Sequence, residues 1–156
     1  MFKTPPRAIF LAILICILPS MVYHAAAEDY FERGTQAFME NKPEEAASMF
    51  ELALEENPNK IETYLYLGAA YQQLEYYDRA VETYERGLAN TEQNEQDAAR
   101  LYYNIGTAYN QNGNYSAAMK AYDQAIQSRS DYSSAYLNRA NVQLRVEQYE
   151  AALKDY

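Results

Sequence analysis

The sequence has little of the chemistry on which most enzymes and metal sites depend: of 156 residues, none is Trp, one is Cys and one is His. Both Cys16 and His24 lie within residues 1–27, so residues 28–156 contain neither a thiol nor an imidazole. This excludes, for residues 28–156, disulfide bonds, zinc sites built from Cys or His, and catalysis by Cys–His or Ser–His–Asp groups. A Gly-rich phosphate loop and the ligand spacing of a calcium loop are also missing. We therefore predict a protein that is not an enzyme and has no cofactor and no metal ion.

The first 27 residues have the layout of a secretory signal peptide. Two basic residues precede the apolar run 8–18, and three alanines end the segment before Glu28. At about 1.5 Å of rise per residue, this run is too short to span a hydrocarbon core of roughly 30 Å. We predict cleavage before Glu28 and export to the periplasm, the cell envelope or the exterior. The alternative is an uncleaved anchor, if the apolar stretch extends through Tyr23, and membrane contact is expected only through this segment.

Acidic residues are in excess, and the excess is uneven along the chain. The whole chain has 13 basic and 22 acidic residues, a net charge of −9, whereas residues 28–156 have 11 basic and 22 acidic residues, a net charge of −11. Residues 28–94 include 15 acidic and 5 basic residues, whereas residues 95–156 include 7 acidic and 6 basic residues. Such a chain is a poor non-specific ligand for nucleic acid, so no nucleic-acid partner is expected. The acidic first half would attract a basic partner segment, or it would only keep the chain soluble.

A pattern of small and aromatic residues occurs four times. A Tyr is followed four residues later by Gly or Ala, twelve residues after that by Ala, and four residues further on by an aromatic residue. In the second copy these residues are Tyr64, Gly68, Ala80 and Tyr84. The copies begin at 27, 61, 99 and 133, so they are spaced by 34, 38 and 34 residues. A unit of this length cannot bury its apolar face alone, so the copies are predicted to stack.

Each copy is predicted to form a pair of helices. Apolar residues recur three and four positions apart, as in Tyr64, Leu67 and Tyr71, which is helical spacing. Turn-forming residues separate the two runs, for example Asn-Gly-Asn at 112–114. The four additional residues before the third copy, 94–97, are expected to extend its first helix, with a solvated loop as the alternative. The predicted helices are 28–41, 44–56, 61–74, 77–90, 97–112, 115–128, 133–146 and 149–156.

The pattern resembles the tetratricopeptide repeat, a motif of 34 residues with Leu-Gly at positions 7 and 8, Tyr at 11, Ala at 20 and an aromatic residue at 24. Copies one and four depart at position 7, where Arg33 and Arg139 stand in place of Leu. The resemblance covers residues 28–156 and implies an all-α fold, a right-handed superhelical solenoid of helix-turn-helix repeats. The repeats are placed at about 27–60, 61–94, 99–132 and 133–156, the last one incomplete. The second copy matches with Leu67, Gly68, Tyr71, Ala80, Tyr84 and Gly87, and the third with Ile105, Gly106, Tyr109, Ala118, Tyr122 and Ala125.

The tyrosines divide into two groups. Twelve of the sixteen Tyr residues in 28–156 occupy repeat positions and are expected to pack in the core, including Tyr156 at position 24 of the last copy. The other four are Tyr66, Tyr76, Tyr103 and Tyr132. The last copy stops at Tyr156 before its pattern is complete. This favours a chain shorter than its relatives, or an open end that docks against another molecule such as a second copy of the chain, giving a homo-oligomer.

The resemblance also implies where a partner would bind. In this family the first helices of the pairs form a concave groove that usually holds a peptide. The Lys and Asn of the clamp with which some members hold an acidic C-terminal tail are absent at the corresponding positions, Phe31 and Thr35 in the first copy, so such a tail is not the expected ligand. The residues predicted to line the groove are Phe31, Thr35, Phe38, Leu65, Tyr66, Gln72, Arg100, Tyr103, Asn104, Thr107, Asn110, Asn138, Asn141 and Arg145.

Three functions are compatible with these features. The first is a non-catalytic scaffold of the cell envelope that binds a protein or peptide segment in the groove, because the predicted groove combines aromatic side chains with amides that can pair with a peptide backbone. The second is a self-assembling structural envelope protein, joined through the open end of the last copy. The third is a glycan-binding envelope protein that uses exposed Tyr and amide side chains.

Overall fold

A computed structural model describes residues 26–90 and 94–156, so the predicted signal peptide lies outside the described residues except for Ala26 and Ala27. The described residues form eight α-helices and contain no strand. Each end of every helix lies within two residues of its predicted position, which confirms the all-α prediction for this part of the chain. The helices are α1 (26–39), α2 (Pro43–Glu56), α3 (Ile61–Gln73), α4 (Tyr77–Leu88), α5 (Glu95–Gln111), α6 (Tyr115–Ser128), α7 (Ser133–Arg145) and α8 (Tyr149–Asp155).

The helices pack in two layers. Consecutive helices from α2 to α8 are neighbours, and in addition α3 contacts α5 and α5 contacts α7. Among the described residues the backbones of α2 and α4, and those of α4 and α6, are not neighbours, although the side chains of Glu51 and Arg79 join α2 to α4. Ring contacts of Tyr66 with Phe31 and Phe38 place α1 beside α3 in the same way. The odd-numbered helices therefore form a closely spaced inner layer, and because the even-numbered helices are spread apart, the inner layer is the concave side of the array.

Glycine and aromatic residues interlock within each of the first three pairs. A Cβ atom added to Gly68 would clash with the ring of Tyr84, and one added to Gly106 would lie 2.6 Å from the ring of Tyr122. The first pair has the same arrangement. Both tyrosine rings are fully buried. Only glycine lets the two helix axes approach closely enough for these rings to fill the space between them, which accounts for the spacing of small and aromatic residues in the sequence.

The fourth pair breaks this arrangement, and the prediction that Tyr156 is a core residue is wrong. Its side chain is 66% exposed, and its hydroxyl donates to Oδ1 of Asn141 at 2.8 Å. Ala140 stands where the other copies have Gly, and Tyr156 lies directly after α8, which ends at Asp155. Tyr149, also expected in the core, is exposed as well, because no described helix packs over this side of α8.

The turn inside each pair uses the same backbone conformation. The residue at position 15 of every copy has a positive φ: Asn41 at 57°, Glu75 at 60°, Gly113 at 77° and Glu147 at 63°. Asn and Gly accept this conformation readily, so the turns predicted at 41–43 and 112–114 are confirmed. Glu accepts it at a cost of about 1–2 kcal/mol. Packing of the helix pair therefore sets this turn even where the local residue disfavours it.

The additional residues before the third copy extend α5, as predicted. The helix begins at Glu95, and the side chain of Asn94 accepts hydrogen bonds from the backbone N–H groups of Gln96 and Asp97, each at 3.1 Å. This is the usual capping arrangement for an N-terminus. The extra turn also brings the carboxylate of Asp97 to 3.3 Å from the guanidinium group of Arg100. The extension therefore helps to position a cation at the concave face.

Candidate functional site

A cleft of about 260 Å³ opens on the concave face between α1, α3 and α5. Six of its eight lining residues belong to the predicted groove. Its lining consists of Phe38, Leu65, Tyr66, Ala69, Arg100, Tyr103, Asn104 and Tyr132. Tyr132 was missing from the prediction although it is one of the four tyrosines outside the repeat positions, which was the available signal. Ala69 is equivalent by repeat position to Thr35 and Thr107, which the prediction did include.

Tyr66 forms one wall of the cleft and is held by three neighbouring rings. Its ring centroid lies 5.7 Å from that of Phe31 and 5.8 Å from that of Phe38, both in edge-to-face contact. It also stacks at 5.6 Å and 24° on the ring of Phe50, which is fully buried in α2. Edge-to-face and offset-stacked pairs are the favourable geometries for aromatic rings. The wall is therefore preformed and does not need a ligand to order it.

Tyr103 forms the opposite wall and is equally constrained. Its ring lies 5.2 Å from that of Tyr132 and 5.9 Å from that of the buried Tyr122, and its hydroxyl accepts a hydrogen bond from Nδ2 of Asn138 at 3.0 Å. The guanidinium carbon of Arg129 lies 3.8 Å from the centroid of the Tyr132 ring. Burial raises the pKa of both Tyr122 and Tyr132 above the ordinary value, so these hydroxyls stay neutral at physiological pH.

Arg100 and Asn104, one turn apart on α5, supply the polar part of the cleft. Arg100 pairs with Asp97, as described above, and Nδ2 of Asn104 donates to the backbone carbonyl of Arg100 at 2.8 Å. The side-chain oxygen of Asn104 accepts no hydrogen bond from the described residues. The cleft thus offers two aromatic walls, guanidinium donors and one free amide acceptor. This combination binds an apolar side chain together with an adjoining peptide group.

The other predicted groove residues lie outside the cleft lining, and most have partners within the chain. Both polar atoms of the Gln72 amide have partners, because its oxygen accepts from the Tyr84 hydroxyl at 2.6 Å and its nitrogen donates to Gln111 at 2.7 Å. The hydroxyl of Thr35 donates to the carbonyl of Glu32 at 2.7 Å. These residues therefore stabilise the concave wall. The eight are Phe31, Thr35, Gln72, Thr107, Asn110, Asn138, Asn141 and Arg145.

Several of these eight support the cleft or lie beyond it. The Thr107 hydroxyl donates to the backbone carbonyl of Tyr103 at 3.0 Å, on the helix that forms the second wall. Oδ1 of Asn110 is buried without a hydrogen-bond donor among the described residues. Asn141 and Arg145 are exposed on α7, away from the cleft. The structure therefore brings the central part of the predicted groove into one site and separates its C-terminal part from it.

Carboxylates at the N-terminal side of the groove have no counter-charge. Glu32 and Glu62 are exposed and form no ion pair with any described residue. By contrast, Lys60 pairs with Glu28 at 2.9 Å while its Nζ lies 3.5 Å from the centroid of the Phe31 ring. The N-terminal side of the groove is therefore negative as well as aromatic.

The described residues contain no group of three or more carboxylate, imidazole or thiol side chains close enough together to hold a metal ion. The same part of the chain has no helix with the length and apolar character needed to span a membrane.

Two family models match the sequence. One model of the tetratricopeptide repeat matches residues 37–105, and a second model of the same repeat matches residues 99–132. Together they cover more than half of the chain. Among curated proteins, no sequence match is found.

Solved structures share the fold. The crystal structure of MamA is 20% identical, covers 83% of this chain and 73% of its own, and has a TM-score of 0.73. The Arabidopsis OM64 TPR domain is 18% identical, with coverages of 79% and 98% and a TM-score of 0.70. The first TPR domain of human RPAP3 is 17% identical, with coverages of 80% and 95% and a TM-score of 0.70. At these identities the likeness establishes the helical solenoid fold and nothing about activity.

Proposed function

Because the chain belongs to the tetratricopeptide repeat family, whose members are in general non-catalytic scaffolds for protein or peptide partners, we propose that it binds a peptide segment of a partner protein on its concave face. The main observation in support of this proposal is the cleft between Tyr66 and Tyr103. Its walls are fixed by neighbouring rings, and the unpaired oxygen of Asn104 provides an acceptor for a peptide N–H group. Clefts with rigid aromatic walls and a few polar groups are typical of peptide-binding surfaces.

We place this scaffold in the cell envelope or outside the cell. The support is the layout of residues 1–27, with basic residues, an apolar run of limited length and small residues before Glu28. Cleavage before Glu28 would leave most of α1 in place, with Phe31 and Phe38 still available to support Tyr66. A scaffold at this location would hold together other exported proteins.

The proposal is tested by affinity capture from the exported fraction of the source cells with chemical cross-linking. The wild-type chain is expected to recover one or more proteins through a defined segment. The double variant Tyr103→Ala, Asn104→Ala is expected to recover at least about tenfold less of these proteins. Truncating a central aromatic anchor typically costs more than about 1 kcal/mol of binding energy, and the amide acceptor is removed with it.

The matched control is Tyr76→Ala, which removes an exposed tyrosine in the loop between α3 and α4, outside the cleft. It should recover the same partners as the wild type. Circular dichroism must show that all three proteins are equally helical. If the double variant keeps every partner, the cleft is not the binding site, and absence of the protein from the exported fraction would contradict the proposed location.

Self-association is the second candidate, favoured by a separate observation. Apolar side chains on α7 and α8 are exposed: Leu137, Leu144, Tyr149, Leu153 and Tyr156. Exposed apolar patches of this kind mark interaction surfaces. Glu150 and Lys154 are one turn apart on α8, so two copies of this helix packed antiparallel would place opposite charges against each other. Light scattering should then report a dimer at high micromolar concentration that Leu153→Glu dissociates, and a wild-type monomer at that concentration would exclude this candidate.

A further inference from the structure

The charge distribution around the cleft defines the kind of peptide that fits it, given the peptide-binding role proposed above. We propose that the cleft binds a segment in which a large apolar side chain is followed or preceded, two or three residues away, by Lys or Arg. The apolar side chain would enter between Tyr66 and Tyr103, and the basic side chain would pair with Glu62 or Glu32.

The size of the cleft suits the entry of a large side chain of a bound peptide. Its volume of about 260 Å³ lies just below the roughly 300–1,000 Å³ of typical small-molecule sites. Leu65, Phe38 and Ala69 complete its apolar lining. A cleft of this size has room for a leucine-sized or aromatic side chain of a bound peptide.

The charges beside the cleft favour a basic neighbour. The cations beside the cleft already have carboxylate partners: Arg100 has Asp97 at 3.3 Å, and Lys60 has Glu28 at 2.9 Å. Arg129, whose guanidinium group covers Tyr132, has Asp131 at 3.4 Å. The carboxylates at this face that pair with no described residue are Glu32 and Glu62. The uncompensated charge beside the cleft is therefore negative.

Repeat equivalence places both carboxylates on the concave face. Glu32 occupies the same repeat position as Tyr66 and Asn104, which line the cleft, and Glu62 occupies the position of Arg100. Residues that are equivalent in stacked repeats project from the same side of the array. The two carboxylates therefore lie on the concave face and not on the outer layer.

The spacing of these groups matches an extended peptide. Glu62 precedes Tyr66 by four residues in α3, which is about 6 Å along the helix axis. Side chains two residues apart on one side of an extended chain are separated by about 6.6 Å. Glu32 lies on the neighbouring helix, roughly 8–10 Å away across the groove, which corresponds to about three residues of extended chain. A basic residue two or three positions from the apolar anchor therefore reaches one of the two carboxylates.

The test is selection of random peptides from a display library on the purified protein, followed by anisotropy titration of a labelled selected peptide. The wild type is expected to enrich peptides with an apolar residue two or three positions from Lys or Arg. The variant Glu32→Gln, Glu62→Gln should still enrich the apolar residue but lose the basic preference. It should bind the labelled peptide about three- to tenfold more weakly at low salt, as expected for two exposed charge pairs, and the difference should shrink at high salt.

The control Glu82→Gln, Glu85→Gln makes the same change in net charge on the outer helix α4, where both residues are exposed. It should leave the selected motif and the affinity unchanged. If this control weakens binding as much as the inner variant, the effect is one of overall charge and the inference is overturned. Enrichment of acidic peptides, or of peptides without an apolar anchor, also overturns it while leaving the groove function intact. If no peptide is enriched, or if selected peptides bind Tyr103→Ala, Asn104→Ala as tightly as the wild type, the proposed function fails as well.

Discussion

Replacing Tyr84 by Ala is expected to lower the free energy of unfolding by about 3–5 kcal/mol, the range for removing a large side chain from a well-packed core. The ring of Tyr84 is 0% exposed and lies against Gly68, so its removal opens a cavity between α3 and α4. Its hydroxyl donates to Gln72, which in turn donates to Gln111 of α5, so the substitution also removes a partner of the side chain that links the second and third pairs. Urea denaturation followed by far-ultraviolet circular dichroism measures the change.

The matched control is Tyr156→Ala, which removes the same side chain from the same repeat position of the last copy. Because Tyr156 is largely exposed, this change should cost less than about 1 kcal/mol. Tyr84→Phe should cost about 1 kcal/mol, since it removes the hydroxyl and keeps the ring. If Tyr84→Ala and Tyr156→Ala destabilise the protein equally, repeat position and not burial determines the contribution, and the packing described here is wrong.

Helix positions were predictable from the sequence because they depend on a pattern that covers the whole chain. The spacing of Gly and aromatic residues reflects one physical requirement, the close approach of paired helices, and it is met in three of the four copies. The exception, Tyr156, was mispredicted because repeat position alone does not show that this side chain follows the end of α8 and stays exposed. The left-handed turns at Glu75 and Glu147 were not predicted either, since their cause is the tertiary packing of the pair.

The candidate site was predictable in part. Repeat position indicates which side of a helix faces the groove, so Tyr66 and Tyr103 could be assigned to it. Repeat position does not show whether a polar side chain is free. Gln72 faces the groove, but its amide bonds to Tyr84 and Gln111, whereas the oxygen of Asn104 remains available. Such differences depend on side-chain conformations and on partners in other helices.

The departure from the repeat pattern at position 7 has a physical explanation in the fourth copy. Arg139 donates two hydrogen bonds to the carboxylate of Asp155 in α8, each at 2.6 Å, and a third to Asp123 in α6. The hydrogen bonds to Asp155 and Asp123 raise the pKa of Arg139 further above its ordinary value. One side chain thus joins three helices at the end of the array. Arg33, at the same position of the first copy, is mostly exposed, and its guanidinium group lies 3.7 Å from the carboxylate of the exposed Asp29.

Arg139→Leu is therefore expected to destabilise the protein by about 2–4 kcal/mol, although Leu is the residue that the repeat pattern favours at this position. The substitution leaves Asp155, whose side chain is 7% exposed, without its counter-ion, and breaking a buried ion pair from one side is strongly destabilising. Hydrogen exchange should show the loss first in α8, where backbone amides would exchange faster than those of α5 because stability in a repeat array is local. Urea denaturation measures the total decrease in the free energy of unfolding.

Two further variants separate this ion pair from a general effect of the substitution. Arg33→Leu makes the same change at an exposed position and should alter the free energy of unfolding by no more than about 0.5 kcal/mol. Arg139→Leu combined with Asp155→Leu removes both charges and should recover most of the lost stability, because an apolar pair can replace a buried ion pair at little cost. The comparison requires Asp155→Leu alone as well. If the stability lost in the double variant equals the sum of the losses in Arg139→Leu and Asp155→Leu, Arg139 acts through packing alone. The departure at position 7 would then have no electrostatic reason.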